Sequence, residues 1–380
     1  MDKTFLSTQK LKEIAKTFTE PFFIYDEAGI REAHERVTSA FSFSCGFRQY
    51  FPICRTTPPQ FLNLLHEMGS GVCCFDEAQL RLCVQCGFTG EELMFAPTLA
   101  NAAADKLAAD IGCIRVISTK QIIPECPPKH AMLVYNPGGK LVRNNTVFTT
   151  FSRMKWGMER EELAQFAEHL LRYGTQSVGI MLPACTNELR SGYFPAVAQE
   201  LFSLAVYLRE KDIHVCSCNL AGGLGINGKH KTQSIDLETE AQSIRLLAES
   251  FGLSDLVLQT VLGKYILAPN ALFLTQVAAV LPHERPLIIT RASADCLPEA
   301  SPLGTYHHIS ALTKSARTEL VVADVAGSQN DLRRLFAEKR VLPQVKEDDW
   351  LVFHSAGLTS PPLHACPQVL YRTDGSITAW

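Results

Sequence analysis

The stretch QYFPICRTTPPQFLNLLHEMGSGVCCFDEAQL, Gln49 to Leu80, places a cysteine, Cys54, between a short apolar run and a helix opened by prolines. A thiol at a strand end can act as a nucleophile when a cation or a helix N-terminus favours the thiolate. Arg55 is adjacent, but neighbouring strand residues face opposite sides, which leaves Arg48 or Lys264 as activator. His66, Lys155 and Lys264 are candidates to assist. The plainer alternative for Cys54 is a small buried residue that fills space. Further on, LAGGLGI carries Gly222, Gly223 and Gly225, whose N–H groups can face an anion, and Lys264 can meet the same anion. Equally, those glycines can simply make a tight turn, with Lys264 a solvated lysine.

Two clusters resemble metal sites. Cys83 and Cys86 in CVQC, with Cys73 and Cys74, have zinc-like spacing, but they lie in DEAQLRLCVQCG, a helical pattern in which cysteine serves as a small apolar residue. In YHHIS, His307 and His308 are strand neighbours that face opposite sides and do not share an ion easily. No metal is expected. Phe22, Phe23, Phe41, Phe43 and Phe47 lie in apolar patterns where core packing is the default, without the basic residues of a stacking platform.

The elements that must position these groups follow from pattern. With 380 residues, 46% hydrophobic and 20% charged, the chain can bury a large core in more than one unit. A net charge of −3 gives no footprint for nucleic acid or an anionic membrane. No run is apolar enough to cross a membrane, and MDKTFLSTQKLKEIAK has the spacing of a short amphipathic helix rather than a signal peptide. Thirteen cysteines in a long chain of this kind are expected to be reduced thiols, which fits a cytoplasmic protein.

Apolar runs alternate with helical patterns: PFFIYD then EAGIREAHERVTSAF, RQYFPI then PPQFLNLLHEMG, SGVCCF then DEAQLRLCVQCG, and onward through SVGIML and HVCSCN. Repeated strand–helix units argue for a (β/α)8 barrel. From about residue 275 the runs FLTQVAAVLPH, RPLIITRAS, TELVVADVA, DDWLVFHSAG and QVLYRTDGSITAW are strands with few helices between them. They predict a mostly antiparallel β domain. The expected division is a barrel over residues 28–275 and a β domain from residues 1–27 and 276–380.

That order, with EPFFIYDEAGIREAHERV at the start, the LLHEMGSGV turn, MKWG (Met154 to Gly157), LAGGLGI and GTYHHI (Gly304 to Ile309), resembles the fold-type III pyridoxal-phosphate decarboxylases. Diaminopimelate decarboxylase is the most similar in pattern, and the resemblance runs over nearly the whole chain. It implies a head-to-tail homodimer and pyridoxal phosphate held as an imine on a lysine. The same resemblance puts Cys54 at that lysine's position. A thiol can add to an aldehyde but cannot form an imine, and a guanidinium such as Arg48 or Arg55 is too weak a nucleophile at neutral pH.

Other motif positions depart from the family as well. MLPACT (Met181 to Thr186) stands for a histidine-bearing strand, and LGKY (Leu262 to Tyr265) for the motif whose glutamate meets the pyridine nitrogen. AGSQN (Ala326 to Asn330) stands for a cysteine- and acid-bearing motif, Glu299 for a carboxylate-binding arginine, and Thr359 for a late tyrosine. The implied function is that of a pseudoenzyme with a binding or regulatory role, as a homodimer or beside an active paralogue, with no cofactor. The alternatives are a redirected enzyme of amino-acid or natural-product metabolism using Cys54, or residual non-covalent pyridoxal phosphate chemistry at Gly222, Gly223, Gly225 and Lys264.

Overall fold

Helix ends are written into the chain. Pro59 opens one helix, Asp76 accepts from the Gln79 N–H at 2.9 Å to cap the next, and Asn101 accepts from the Ala104 N–H at 3.1 Å to cap a third. Gly112 and Gly174 close helices at positive φ. The computed structural model describes residues 4–54, 57–99, 101–138, 140–143, 146–149, 156–226, 228, 235–301, 305–314, 317–329, 335–357 and 366–380.

In chain order the first elements are α1 (Thr8–Ala15), β1 (Phe22–Asp26), α2 (Glu27–Ala40), β2 (Arg48–Pro52), α3 (Pro59–Glu67), β3 (Gly71–Cys74), α4 (Glu77–Gln85), β4 (Leu93–Phe95), α5 (Ala102–Ile111), β5 (Ile114–Ile117) and β6 (His130–Val134). A hairpin, β7 (Lys140–Arg143) and β8 (Thr146–Thr149), precedes α6 (Arg160–Tyr173), β9 (Ser177–Met181), α7 (Tyr193–Arg209), β10 (Val215–Asn219), α8 (Leu237–Ser250), β11 (Val257–Thr260) and α9 (Gly263–Leu267). The rest is sheet: β12 (Ala271–Leu281), β13 (Leu287–Thr290), β14 (Ile309–Leu312), β15 (Leu320–Ala326), β16 (Leu335–Pro343), β17 (Trp350–His354), β18 (Gln368–Tyr371) and β19 (Ile377–Ala379).

Eight parallel strands close a barrel in the order β10-β11-β2-β3-β4-β5-β6-β9. Its interior is packed by alternate residues, among them Tyr50, Cys73, Met94, Met132, Met181 and Ala221, with Val261 against them. This unit comprises Ala33–Gly225 and Ser234–Gly263.

The other unit comprises Met1–Glu32, Ile226–Gln233 and Lys264–Trp380. Its nine-stranded sheet runs β16-β15-β13-β12-β1-β18-β19, with β17 joined to β12 and β14 to β17. Most pairings are antiparallel, while β1–β18 and β13–β15 are parallel. Helix α1 lays Leu11 and Ile14 on the sheet face beside Phe22, Leu274 and Trp350. The expected boundary at 275/276 falls inside β12. Ala271 to Leu274 already pair with Tyr25 to Phe22, so the sheet claims them and the division falls at Lys264. Among the described residues no helix is long and apolar enough to cross a membrane.

Candidate functional site

Cys54 lies two residues beyond β2, at the C-terminal end of a barrel strand, where (β/α)8 folds carry their chemistry. Tyr50 belongs to the interior cluster, and the two-residue period of the strand gives Pro52 and Cys54 the same inward parity. The chain then turns into α3. The Cys54 N–H donates to Thr57 Oγ1 at 2.9 Å, and the Thr57 hydroxyl donates to Cys54 Sγ at 3.4 Å.

Two of the groups proposed to act on Cys54, Arg48 and His66, are not brought to it. Arg48 is the first residue of β2 and hydrogen-bonds the Tyr50 side chain. Six residues of strand at about 3.3 Å each put it about 20 Å away, at the opposite end of the barrel. His66 is in the last turn of α3, which returns the chain to the start of β3. Its ring packs on Phe88, with centroids 4.9 Å apart. Arg48 and His66 are therefore removed from the Cys54 site. Arg55, and Met154 and Lys155 of the MKWG element, lie outside the described residues.

Beyond β10, two strands from β2 around the barrel, the glycine turn shares the C-terminal face. Close packing fixes its glycines. A Cβ on Gly222 would stand 2.5 Å from Val261 O, and one on Gly225 2.7 Å from the Asn187 carbonyl carbon. Gly223 has φ +98°, and its Cβ would stand 2.5 Å from Cys185 O and 2.7 Å from the Tyr193 hydroxyl. Tyr193, fully buried at the start of α7, ties the turn together: its hydroxyl accepts from the Cys185 N–H at 3.1 Å and donates to Gly222 O at 3.3 Å. Burial pushes its pKa far up, so it stays a donor.

The turn's own donors divide. The Gly225 N–H is committed to Glu188 O at 2.7 Å, and the Ala221 N–H to Asn219 Oδ1 at 2.7 Å. The N–H groups of Gly222, Gly223 and Leu224 have no acceptor among the described residues. Three successive N–H groups without an acceptor among the described residues are what the turn has to offer an anion. Leu224 was not legible as a member, because its contribution is main-chain.

The flanking strand ends are apolar. Met181 closes β9 and is followed by buried Leu182 and Ala184. At the end of β11 it is Val261, not Leu262, that packs against the interior cluster. Leu262 is buried outside that cluster and gives its N–H to Gln49 Oε1 at 3.2 Å.

In the sheet unit, Lys264 Nζ donates to Glu299 Oε2 at 2.7 Å and to Thr305 Oγ1 at 3.3 Å, so its charge is met by a carboxylate. His307 is buried with Nδ1 3.0 Å from His354 O, and burial lowers its pKa. Gln329 Oε1 accepts from the Ala294 N–H at 2.7 Å. Asn330, Gly304 and Thr359 lie outside the described residues. Among the cysteines, Cys74 and Cys83 pack thiol to thiol at 3.7 Å, and burial pushes the Cys73 thiol up to about 12. Among the described residues no three His, Cys, Asp or Glu side chains converge as a metal would need.

A closed parallel barrel followed by a mixed sheet unit is the architecture of a known family. The family described as "Pyridoxal-dependent decarboxylase, C-terminal sheet domain" matches residues 22–357, and the chain belongs to it. Protein TabA of Pseudomonas amygdali pv. tabaci is 28% identical over 91% of this chain and 83% of that protein. The diaminopimelate decarboxylase of Methanothermobacter thermautotrophicus is 26% identical over 92% and 84%. The crystal structure of diaminopimelate decarboxylase from M. jannaschii with L-lysine superposes with TM-score 0.85 at 16% identity, covering 97% of this chain and 90% of that one.

Proposed function

We propose that this chain is a member of the pyridoxal-dependent decarboxylase family that has given up lysine-dependent decarboxylation and serves a binding or regulatory role, as a homodimer or paired with an active relative. The reading rests on Cys54, a thiol two residues beyond a barrel strand, where the family resemblance puts the amine that an imine needs. The residues present do not fit a lysine-linked pyridoxal phosphate. Val261 and Met181 offer the pyridine ring no proton or charge. The free N–H groups of Gly222, Gly223 and Leu224 do fit a phosphate group held without a covalent link. An ordinary cytoplasmic metabolic setting is consistent with the reduced cysteines.

A redirected enzyme using Cys54 is the second possibility, supported by the Thr57 hydroxyl that donates to Sγ at 3.4 Å. The test is carbon dioxide release from lysine, ornithine, arginine and diaminopimelate with added pyridoxal phosphate. No release above the buffer rate is expected. Turnover of any of these substrates overturns the proposal.

A further inference from the structure

Among the described residues, thiols hydrogen-bond in pairs at two places, and the two pairs differ in access and in charge. In the barrel unit, Cys74 and Cys83 are both fully buried, so no reagent reaches either sulfur. The hydrogen bond with Cys83 and burial hold the Cys74 pKa well above the ordinary thiol value, so no thiolate forms there. In the sheet unit, Cys296 and Cys366 hydrogen-bond each other through their side chains. Cys296 is buried, but Cys366 is only partly so, which opens a way in.

The main chain fixes both sulfurs. Cys296 ends a single 3-10 turn, Ala294–Cys296. Its N–H donates to Ser293 O at 3.0 Å, while the Ala294 N–H donates to Gln329 Oε1 at 2.7 Å. Cys366 precedes Pro367, whose carbonyl accepts from the Phe23 N–H of β1 at 2.9 Å. Held this way, the thiols need only a small side-chain adjustment to bond. The Cys366 thiol, donating to Cys296, pulls the Cys296 pKa below the ordinary thiol value, against burial and the Asp295 carboxylate. The same hydrogen bond, burial, the Cys296 charge and Glu20 hold the remaining proton on Cys366. One proton of the pair leaves readily and the other is shared.

We propose that Cys296 and Cys366 are a site of reversible thiol oxidation, closed to a disulfide by exchange with a small-molecule disulfide such as oxidised glutathione. The shared proton passes to the Cys296 sulfur, and the Cys366 thiolate attacks one sulfur of the reagent. A first glutathione thiolate leaves and is protonated by water. Cys296 then gives its proton to water, attacks Cys366 Sγ and expels the second glutathione thiolate, which is protonated in turn. Two protein thiols lose two electrons, and one disulfide gains them to become two thiols. The new bond ties the turn after β13 to the start of β18 and closes a loop of about 70 residues that carries β14 to β17. It requires neither Cys54 nor the glycine turn, so it stands apart from the proposed function.

Peptide mapping tests it on the folded full chain. Wild type, Cys296→Ser and Cys366→Ser are incubated with oxidised glutathione and quenched in acid. Free thiols are then alkylated in denaturant, and the digests are read by mass without reduction. Wild type yields one peptide pair joined through Cys296 and Cys366, alkylation of both residues falls in parallel, and dithiothreitol restores it. Cys296→Ser stops at a glutathione adduct on Cys366. Cys366→Ser leaves Cys296 unmodified, because the way in is gone. Cys74 and Cys83 stay reduced throughout, and exposed Cys45 reports that the reagent is active. Alanine variants at 296 and 366 serve if a serine variant does not fold. A wild-type protein that carries glutathione on Cys366 without the link to Cys296 overturns the inference. So does one in which Cys45 is modified while Cys296 and Cys366 keep full alkylation, and so does a Cys74–Cys83 link formed as fast as the Cys296–Cys366 link.

Discussion

Replacing Gly223 by alanine tests whether the glycine turn is held as described. Two effects add. At φ +98° a side chain sits in left-handed backbone, which disfavours it by about 1–2 kcal/mol. Its Cβ would also stand 2.5 Å from Cys185 O and 2.7 Å from the Tyr193 hydroxyl, so one or both must shift. That weakens the hydrogen bonds from the Cys185 N–H and to Gly222 O, each about 0.5–1.5 kcal/mol net. The sum is about 2–5 kcal/mol. Gly69 is the control: it has φ +72°, but nothing lies within 4 Å of its Cβ, so Gly69→Ala carries only the backbone part. Thermal unfolding followed by circular dichroism compares the two. At about 2–4 °C per kcal/mol for a unit of this size, Gly223→Ala melts about 2–12 °C below Gly69→Ala. Equal midpoints would refute the packing of the turn against Cys185 and Tyr193.

Two further predictions concern buried ionisable groups. Arg115 Nε and Asp105 Oδ1 pair at 2.8 Å with both side chains almost fully buried, so Asp105→Asn strands a buried cation and destabilises by about 3–5 kcal/mol. Adding Arg115→Leu recovers most of that, as a double-mutant cycle by thermal unfolding reads directly. His34 and His307 are both pushed below the usual 6.5 by burial. The unfolded chain therefore takes up more protons than the folded one as pH falls through 6.5. Their contribution is complete above pH 6.5 and lost below it. Melting temperature drops between pH 7 and pH 5, and His307→Gln flattens that slope; an unchanged slope counts against the buried, neutral His307.

Most of the barrel could be read from short apolar runs followed by capped helices, because each such unit carries its own signal. Strand β11 could not: Val257–Thr260 is four residues long and is followed by a helix of five, so no strand–helix period stands out. Strand β16 was hidden by Glu338, Lys339 and Arg340, charged residues that an edge strand tolerates. The same local logic put Cys54 and the glycine turn beyond strand ends. It failed where nearness along the chain differs from nearness in space. Arg48 is separated from Cys54 by the length of a strand, and His66 by the return of a helix. Leu262, the first residue of LGKY, lies just beyond β11 and outside the interior cluster, while its neighbour Val261 packs against it, a difference no local pattern marks. The Lys264–Glu299 pair joins residues far apart in sequence and leaves no local trace.

The account turns on the amine that position 54 lacks. Wild type and Cys54→Lys are each titrated with pyridoxal phosphate, reduced with borohydride, and measured by intact mass and peptide mapping. Wild type yields no stoichiometric reduced adduct, and Cys54→Lys yields one that maps to position 54. A one-to-one adduct on any lysine of the wild-type protein would contradict the loss of lysine-dependent chemistry and return the chain to the working enzymes of its family.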